Sequence, residues 1–133
     1  MNDKFQILIV EDSEITLYKL KAILVRLGYS VSAHDKPSSA LEWLSASPDA
    51  PDLVITDVVM PGMDGYAFVK QLRGNPKTAK VPVIMLTSQT EIRDKVAGLE
   101  AGADDFLSKS VSPDELELRV KALLTRNLEK SKS

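Results

Sequence analysis

The chain has 133 residues, of which 44% are hydrophobic and 27% charged, with a formal net charge of −2 and no cysteine. That length suits one domain with its own core, and the near-neutral charge offers no basic field for nucleic acid or anionic lipid. The missing thiols exclude disulfides and thiolate metal sites. No apolar run reaches membrane-spanning length, and the N-terminus "MNDKFQILIVED" lacks the shape of a signal peptide. A cytoplasmic protein, touching neither nucleic acid nor membrane directly, is the expectation.

In chain order, "FQILIV" (5–10) is a compact apolar run, too short for a helix, that leads into Glu11 and Asp12 and predicts a first strand. A helix is expected from about Ser13, with Leu17, Leu20, Leu24 and Leu27 at three- and four-residue spacing and Gly28 as its stop. Tyr29, Val31 and Ala33 alternate with polar residues, which predicts a second strand nearer the sheet edge. A second helix over about 37–45 buries Ala40, Leu41 and Leu44, and "SPDAPD" then breaks the chain. The third strand, 53–56, delivers Asp57 to a turn through Pro61, Gly62 and Gly65. A third helix, about 65–72, turns Phe68, Val69 and Leu72 inward. "VPVIML" (81–86) predicts the fourth strand, with Pro82 admissible only near its start or at a bulge.

The fourth helix, about 91–100, carries Ile92, Val96 and Leu99 and stops near Gly102, and "DFLS" is a short fifth strand. The last helix opens on "SPDE", with Ser112 as N-cap, Pro113 at the first helical position and Glu115 three residues after the cap. It is expected to run to about Leu128 before "EKSKS" frays. Strict β–α alternation implies a doubly wound, flavodoxin-like α/β fold: five parallel strands in the order 2-1-3-4-5 with five helices. The expected single domain spans 1–133, with its core over about 5–124; residues 125–133 are a helix end and tail, or the start of a linker.

Ligands of such sheets bind at the C-terminal edge of the strands. Glu11 and Asp12 end the first strand there, Asp57 the third, Thr87 and Ser88 the fourth, and Lys109 follows the fifth. Three carboxylates within reach of one another repel and need a cation. An all-oxygen donor set suits a hard ion such as Mg²⁺ that keeps some of its waters. Lys109 adds a compact positive charge and Thr87 a hydroxyl donor, which leaves central Asp57 placed to accept a phosphoryl group as nucleophile.

These residues resemble a bacterial-type response regulator receiver domain across about 5–124. The resemblance rests on "VED", "DVVMPGMDG", "LTS" and "DFLSK" in that order. Chemotaxis receivers are themselves a standard instance of this strand order. The resemblance implies that Asp57 takes phosphate from a sensor histidine kinase or phosphotransfer protein. It further implies that Asp12 and Asp57 bind Mg²⁺ with the backbone carbonyl of Val59, Glu11 acting mainly through water, and that Thr87 and Lys109 contact the phosphoryl oxygens. Phe106 matches an aromatic position that changes rotamer as Thr87 moves, remodelling the face of helix four, strand five and helix five. Phosphorylation then biases an existing equilibrium, read by a downstream target or effector domain. The chain resembles no enzyme acting on an external substrate.

Three positions depart from the family's usual pattern. Ser110 stands where a cis proline is common; a cis bond costs about 2.5–4 kcal/mol here, so either the site enforces it or a trans loop, favoured on cost, re-aims Lys109. Phe106 replaces a frequent tyrosine, and Glu11 a more frequent aspartate. Val59 and Gln89, which tune phosphoryl lifetime by their position, suggest minutes or longer.

Each residue also has a plainer reading. Asp12 or Ser13 caps the first helix, Thr87, Ser88 or Thr90 the fourth, and Lys109 is a solvated surface lysine. Their joint placement on one rim favours the site. Asp64 reads as the third helix's N-cap, His34 as a solvent-facing strand residue and Trp43 as a helix-face cover. Leu118 lies off its helix's core face, formed by Leu116, Val120 and Leu123; a lone exposed leucine needs no explanation, and the alternative is a partner or homodimer contact on the face of helices four and five.

Two rivals fail on chemistry. An aspartyl-phosphate phosphatase wants a second aspartate where Val59 stands, and a nucleotide or flavin carrier wants a phosphate-binding loop where Glu11 and Asp12 stand. What remains open is a stand-alone regulator, a receiver cut from a longer kinase or regulator, or a receiver-like module that signals without phosphate.

Overall fold

The computed structural model of the protein describes residues 5–58, 60, 62–87 and 92–132, with side chains left aside for 92–95 and 127–132. Strands and helices alternate throughout: β1 (Gln6–Val10), α1 (Glu14–Arg26), β2 (Ser30–His34), α2 (Pro37–Ala46), β3 (Leu53–Asp57), α3 (Gly65–Gly74), β4 (Val83–Thr87), α4 (Ile92–Ala101), β5 (Asp105–Ser108) and α5 (Pro113–Lys132). The strands form one sheet in the order β2-β1-β3-β4-β5, and every pairing is parallel. This is the expected flavodoxin-like topology.

Burial explains the strand sequences. β3 and β4 are buried at every position and β1 at all but its first, since helices cover both faces. Edge strands β2 and β5 are mostly half-buried. Alternate residues feed two cores. Leu8, Val10, Val54 and Met85 pack with Phe68, Val69 and Leu72 of α3 and with Ala40 and Leu44 of α2. Ile7, Ile9, Ile55, Ile84 and Leu86 pack with Leu20 and Leu24 of α1 and with Leu116, Val120 and Leu123 of α5.

Val96 and Leu99 of α4, whose facing the sequence left open, point outward and are 48% and 58% exposed. Among the described side chains of α4, the inward positions belong to small residues, buried Gly98 and Ala101. β4 starts two residues later than predicted; Pro82 has no N–H to give, and its carbonyl instead accepts Val54 N at 2.9 Å. α5 continues to Lys132 rather than ending near Leu128. His34 is not solvent-facing: its ring, half-buried beside Trp43, bonds Ser32 Oγ at 2.9 Å and Ser39 Oγ at 2.7 Å.

Away from the strands' C-terminal ends, Arg73 at the end of α3 holds the neighbouring segments together. Its guanidinium donates to Gly102 O at 3.0 and 2.7 Å, to Val81 O at 2.6 Å and to Asp104 Oδ2 at 3.1 Å. Asp104 also accepts from Val83 N and Arg126. The C-terminal end of α4 is thereby tied to α3, β4 and α5.

Candidate functional site

The parallel register decides what meets at the rim. Val10 pairs with Thr56, and Asp57 pairs with Leu86, so Glu11 just after β1, Asp57 at the end of β3 and Thr87 at the end of β4 emerge together on one edge of three adjacent strands. β5 adds Lys109, whose N–H donates to Thr87 O at 2.9 Å. At the start of α1, Ser13 is the N-cap, its Oγ accepting Thr16 N at 3.4 Å. Ser13 N in turn donates to Glu11 Oε2 at 2.9 Å. Capping therefore falls to Ser13 and leaves the exposed Asp12 for the rim.

Asp57 is buried, with 3% of its surface exposed. Lys109 Nζ lies 2.8 Å from Asp57 Oδ2 and 3.1 and 3.2 Å from the two oxygens of Glu11, a carboxylate with no exposed surface. The solvated-lysine reading of Lys109 is overturned by these contacts. Burial pushes the Glu11 carboxyl up to about 7, and neighbouring Asp57 adds to that rise, while the Ser13 N–H and Lys109 oppose it. For Lys109, burial works against the charge, but hydrogen bonds to Asp57 and Glu11 outweigh it and raise its pKa.

Glu11, Asp12 and Asp57 each place a carboxylate oxygen within 4.8 Å of the others. Glu11 Oε1 is buried without a hydrogen bond among the described residues, although the Lys109 ammonium is near. Three acids on one lysine leave negative charge in excess, and an all-oxygen cluster of this size fits a hard divalent cation.

The peptide bond from Lys109 to Ser110 is trans, as no cis bond occurs among the described residues. It does not misdirect Lys109. Ser108 Oγ accepts Ser110 N at 3.1 Å, the two hydroxyls lie 2.8 Å apart, and Val111 N donates to Ser108 O. This turn replaces the proline's constraint and keeps Lys109 on Asp57.

After β3, Gly65 opens α3 against the backbone of Asp57. Its N–H donates to Val58 O at 2.7 Å, and a Cβ there would lie 2.1 Å from Asp57 O. Asp64 caps α3 as expected, Oδ1 accepting Ala67 N at 2.8 Å.

Residues 7–121 match the family model described as response regulator receiver domain. The chain belongs to that family. Among its relatives is the alkaline phosphatase synthesis transcriptional regulatory protein PhoP of Bacillus subtilis, 42% identical over 127 residues that make up 96% of this chain and 50% of PhoP. The chain thus spans about half the length of that relative. Two solved receiver domains superpose on 91% of it. One, from a signal transduction histidine kinase of Syntrophus aciditrophicus, is covered to 90% with a TM-score of 0.82 and 44% identity. The other, from a sensor histidine kinase of Pseudomonas aeruginosa with a coordinated magnesium ion, is covered to 98% with a TM-score of 0.82 and 27% identity.

In this receiver the structure brings Glu11, Asp12, Asp57, Thr87 and Lys109 to one rim. The Val59 carbonyl, Gln89, Ser88 and Thr90 lie outside the described residues. Sequence reading missed a stripe on α1: Ile15 and Tyr18 are 84% and 78% exposed and Val25 is 51% exposed. Its signal was present, because these residues and Ala22 repeat at three- and four-residue spacing off the leucine face.

Proposed function

We propose that this receiver is a phosphorylation switch in which an Asp57 carboxylate oxygen attacks the phosphorus of a phosphohistidine, the imidazole nitrogen leaving as the phosphorus–nitrogen bond breaks. The contact of Lys109 with both Asp57 and Glu11 carries the reading. Burial keeps Asp57 from water, and Lys109 orients it through Oδ2 and offers charge to the incoming phosphoryl oxygens. Thr87, at the end of β4, is the proposed hydroxyl partner of the phosphoryl group. Glu11, Asp12 and Asp57 would hold Mg²⁺, with the Val59 carbonyl as a further expected ligand. When bound, the ion would neutralise charge on the transferring group. The similar Pseudomonas receiver with its coordinated magnesium supports that assignment.

The phosphodonor, a histidine kinase or phosphotransfer protein, docks on the α1 stripe of Ile15, Tyr18 and Val25 in this reading, since α1 starts beside Asp12. Output passes through α4, β5 and α5, where Val96, Leu99 and Leu118 are exposed, to an effector or a second copy. Phe106, half-buried on β5, is the proposed switching ring. The domain acts on no substrate beyond its own phosphoryl group, and a cytoplasmic location fits; no described helix is long and apolar enough to cross a membrane. Because the chain spans half of PhoP, an effector in the same polypeptide is part of the proposal.

Intact mass after incubation with Mg²⁺ and acetyl phosphate tests it. One phosphoryl group should appear in the wild type, and none in Asp57→Asn or after chelation. A wild type that binds Mg²⁺ yet gains no mass would leave a module that signals without phosphate.

A further inference from the structure

The ring of Phe106 does not simply lie on β5. It fills the space where residue 98 of α4 would carry a side chain. A Cβ built on Gly98 would meet Phe106 Cζ at 1.8 Å, Cε2 at 2.4 Å and Cε1 at 3.0 Å, so its three nearest neighbours all belong to that one ring. Real Cβ atoms essentially never approach so closely, and an alanine at 98 and the ring in this position exclude each other. Gly98 is costly to keep inside a helix relative to alanine, so the space it leaves has a use.

The surrounding anchors make that space mechanical. Gly102, just past α4, is pinned by Arg73 through two hydrogen bonds to its carbonyl, and Gly102 N and Ala103 N both donate to Gly98 O. The C-terminal end of α4 is fixed, and the ring bears on the helix one turn before it. Val96 and Leu99 are exposed on the same helix. Moving the ring therefore changes how α4 sits on β5, with the Arg73-held end as pivot.

We infer that Gly98 is a positioning residue for the switch: its missing side chain forms the seat that holds the Phe106 ring in the observed position, and any larger residue there displaces the ring without phosphate. This rests on the proposed switching role of Phe106. The seat itself stands on geometry alone.

The test is a double substitution in the full chain. With the ring present, Gly98→Ala should lower Tm. In the Phe106→Ala background the same change should raise Tm by about 4 °C, because only the helix-propensity gain remains. The same sign in both backgrounds would overturn the seat.

A second readout uses 4-fluorophenylalanine in place of the three phenylalanines. In metal-free, unphosphorylated Gly98→Ala, the fluorine resonance of Phe106 should shift while those of Phe5 and Phe68 stay. An unmoved Phe106 resonance would also overturn the proposal. Phosphorylating the wild type separates the two claims. If the Phe106 resonance moves there, its further movement on phosphorylation should be at least halved in Gly98→Ala, and an undiminished movement would overturn the positioning role. If the wild-type resonance does not respond to phosphate, the switch reading of Phe106 fails, and with it the claim that Gly98 positions a switch, while the Tm sign reversal still reports on the seat.

Discussion

Helices α3 and α4 lie side by side on one face of the sheet, and they are held by opposite means. α3 supplies its own packing: Phe68, Val69 and Leu72 are buried to within 1% and fill the core beneath it. α4 turns Gly98 and Ala101 inward, leaves Val96 and Leu99 exposed, and borrows its filling from Phe106 of the next strand. A helix that brings its own core residues has one position. A helix seated on a neighbour's ring would take another if that ring moved, as the proposed output face requires.

Substitutions should separate the two helices. Phe68→Ala removes a fully buried ring from α3 and should cost about 3–5 kcal/mol in urea denaturation. Gly65→Ala forces a Cβ onto Asp57 O at the start of α3; a loss of about 1–3 kcal/mol is expected, together with slower phosphorylation by acetyl phosphate. Unchanged phosphorylation would show that α3 does not set the acceptor's position. Phe106→Ala should cost less, about 1–2 kcal/mol, because the ring is only half-buried. Its hydrogen-exchange signature is the sharper result: faster exchange in α4 with α3 unchanged. Equal loosening of both helices would erase the contrast between them.

The shallowest effect is a slope with pH in the metal-free protein. Glu11 rises from 4.5 to about 7 on folding, so between those values the folded chain holds more protons than the unfolded one. Its contribution to stability is complete below 4.5 and is lost as pH rises through about 7. Denaturation at several pH values with chelator present should show this decline, and Glu11→Gln should flatten it.

The rim was readable in the sequence because apolar runs determine where buried strands end, and parallel topology then gathers those ends on one edge. Glu11, Asp57, Thr87 and Lys109 were placed by that logic. Caps were readable for a similarly local reason: Asp64 accepts Ala67 N, and Ser112 Oγ accepts Glu115 N at 3.1 Å. The inner face of α4 was not readable. Periodicity weights large apolar residues, and there the buried positions are small because a ring from another element occupies the space. Cost did favour the trans bond before Ser110, but it did not reveal the turn that Ser108 and Ser110 build to keep Lys109 on Asp57, since that depends on hydroxyl geometry. His34 misled for the opposite reason: its two serine partners come from its own strand and from α2, a meeting set by tertiary packing.

The most direct test of the phosphoacceptor is to locate the phosphoryl group. Borohydride reduces an aspartyl phosphate to homoserine, so the protein would be treated with acetyl phosphate and Mg²⁺, reduced, digested and sequenced by mass spectrometry. Homoserine at position 57, with no other aspartate converted to homoserine and no glutamate to its longer alcohol, is the predicted result. Homoserine elsewhere, or an unmodified Asp57 in protein that has gained phosphoryl mass, would contradict the assignment.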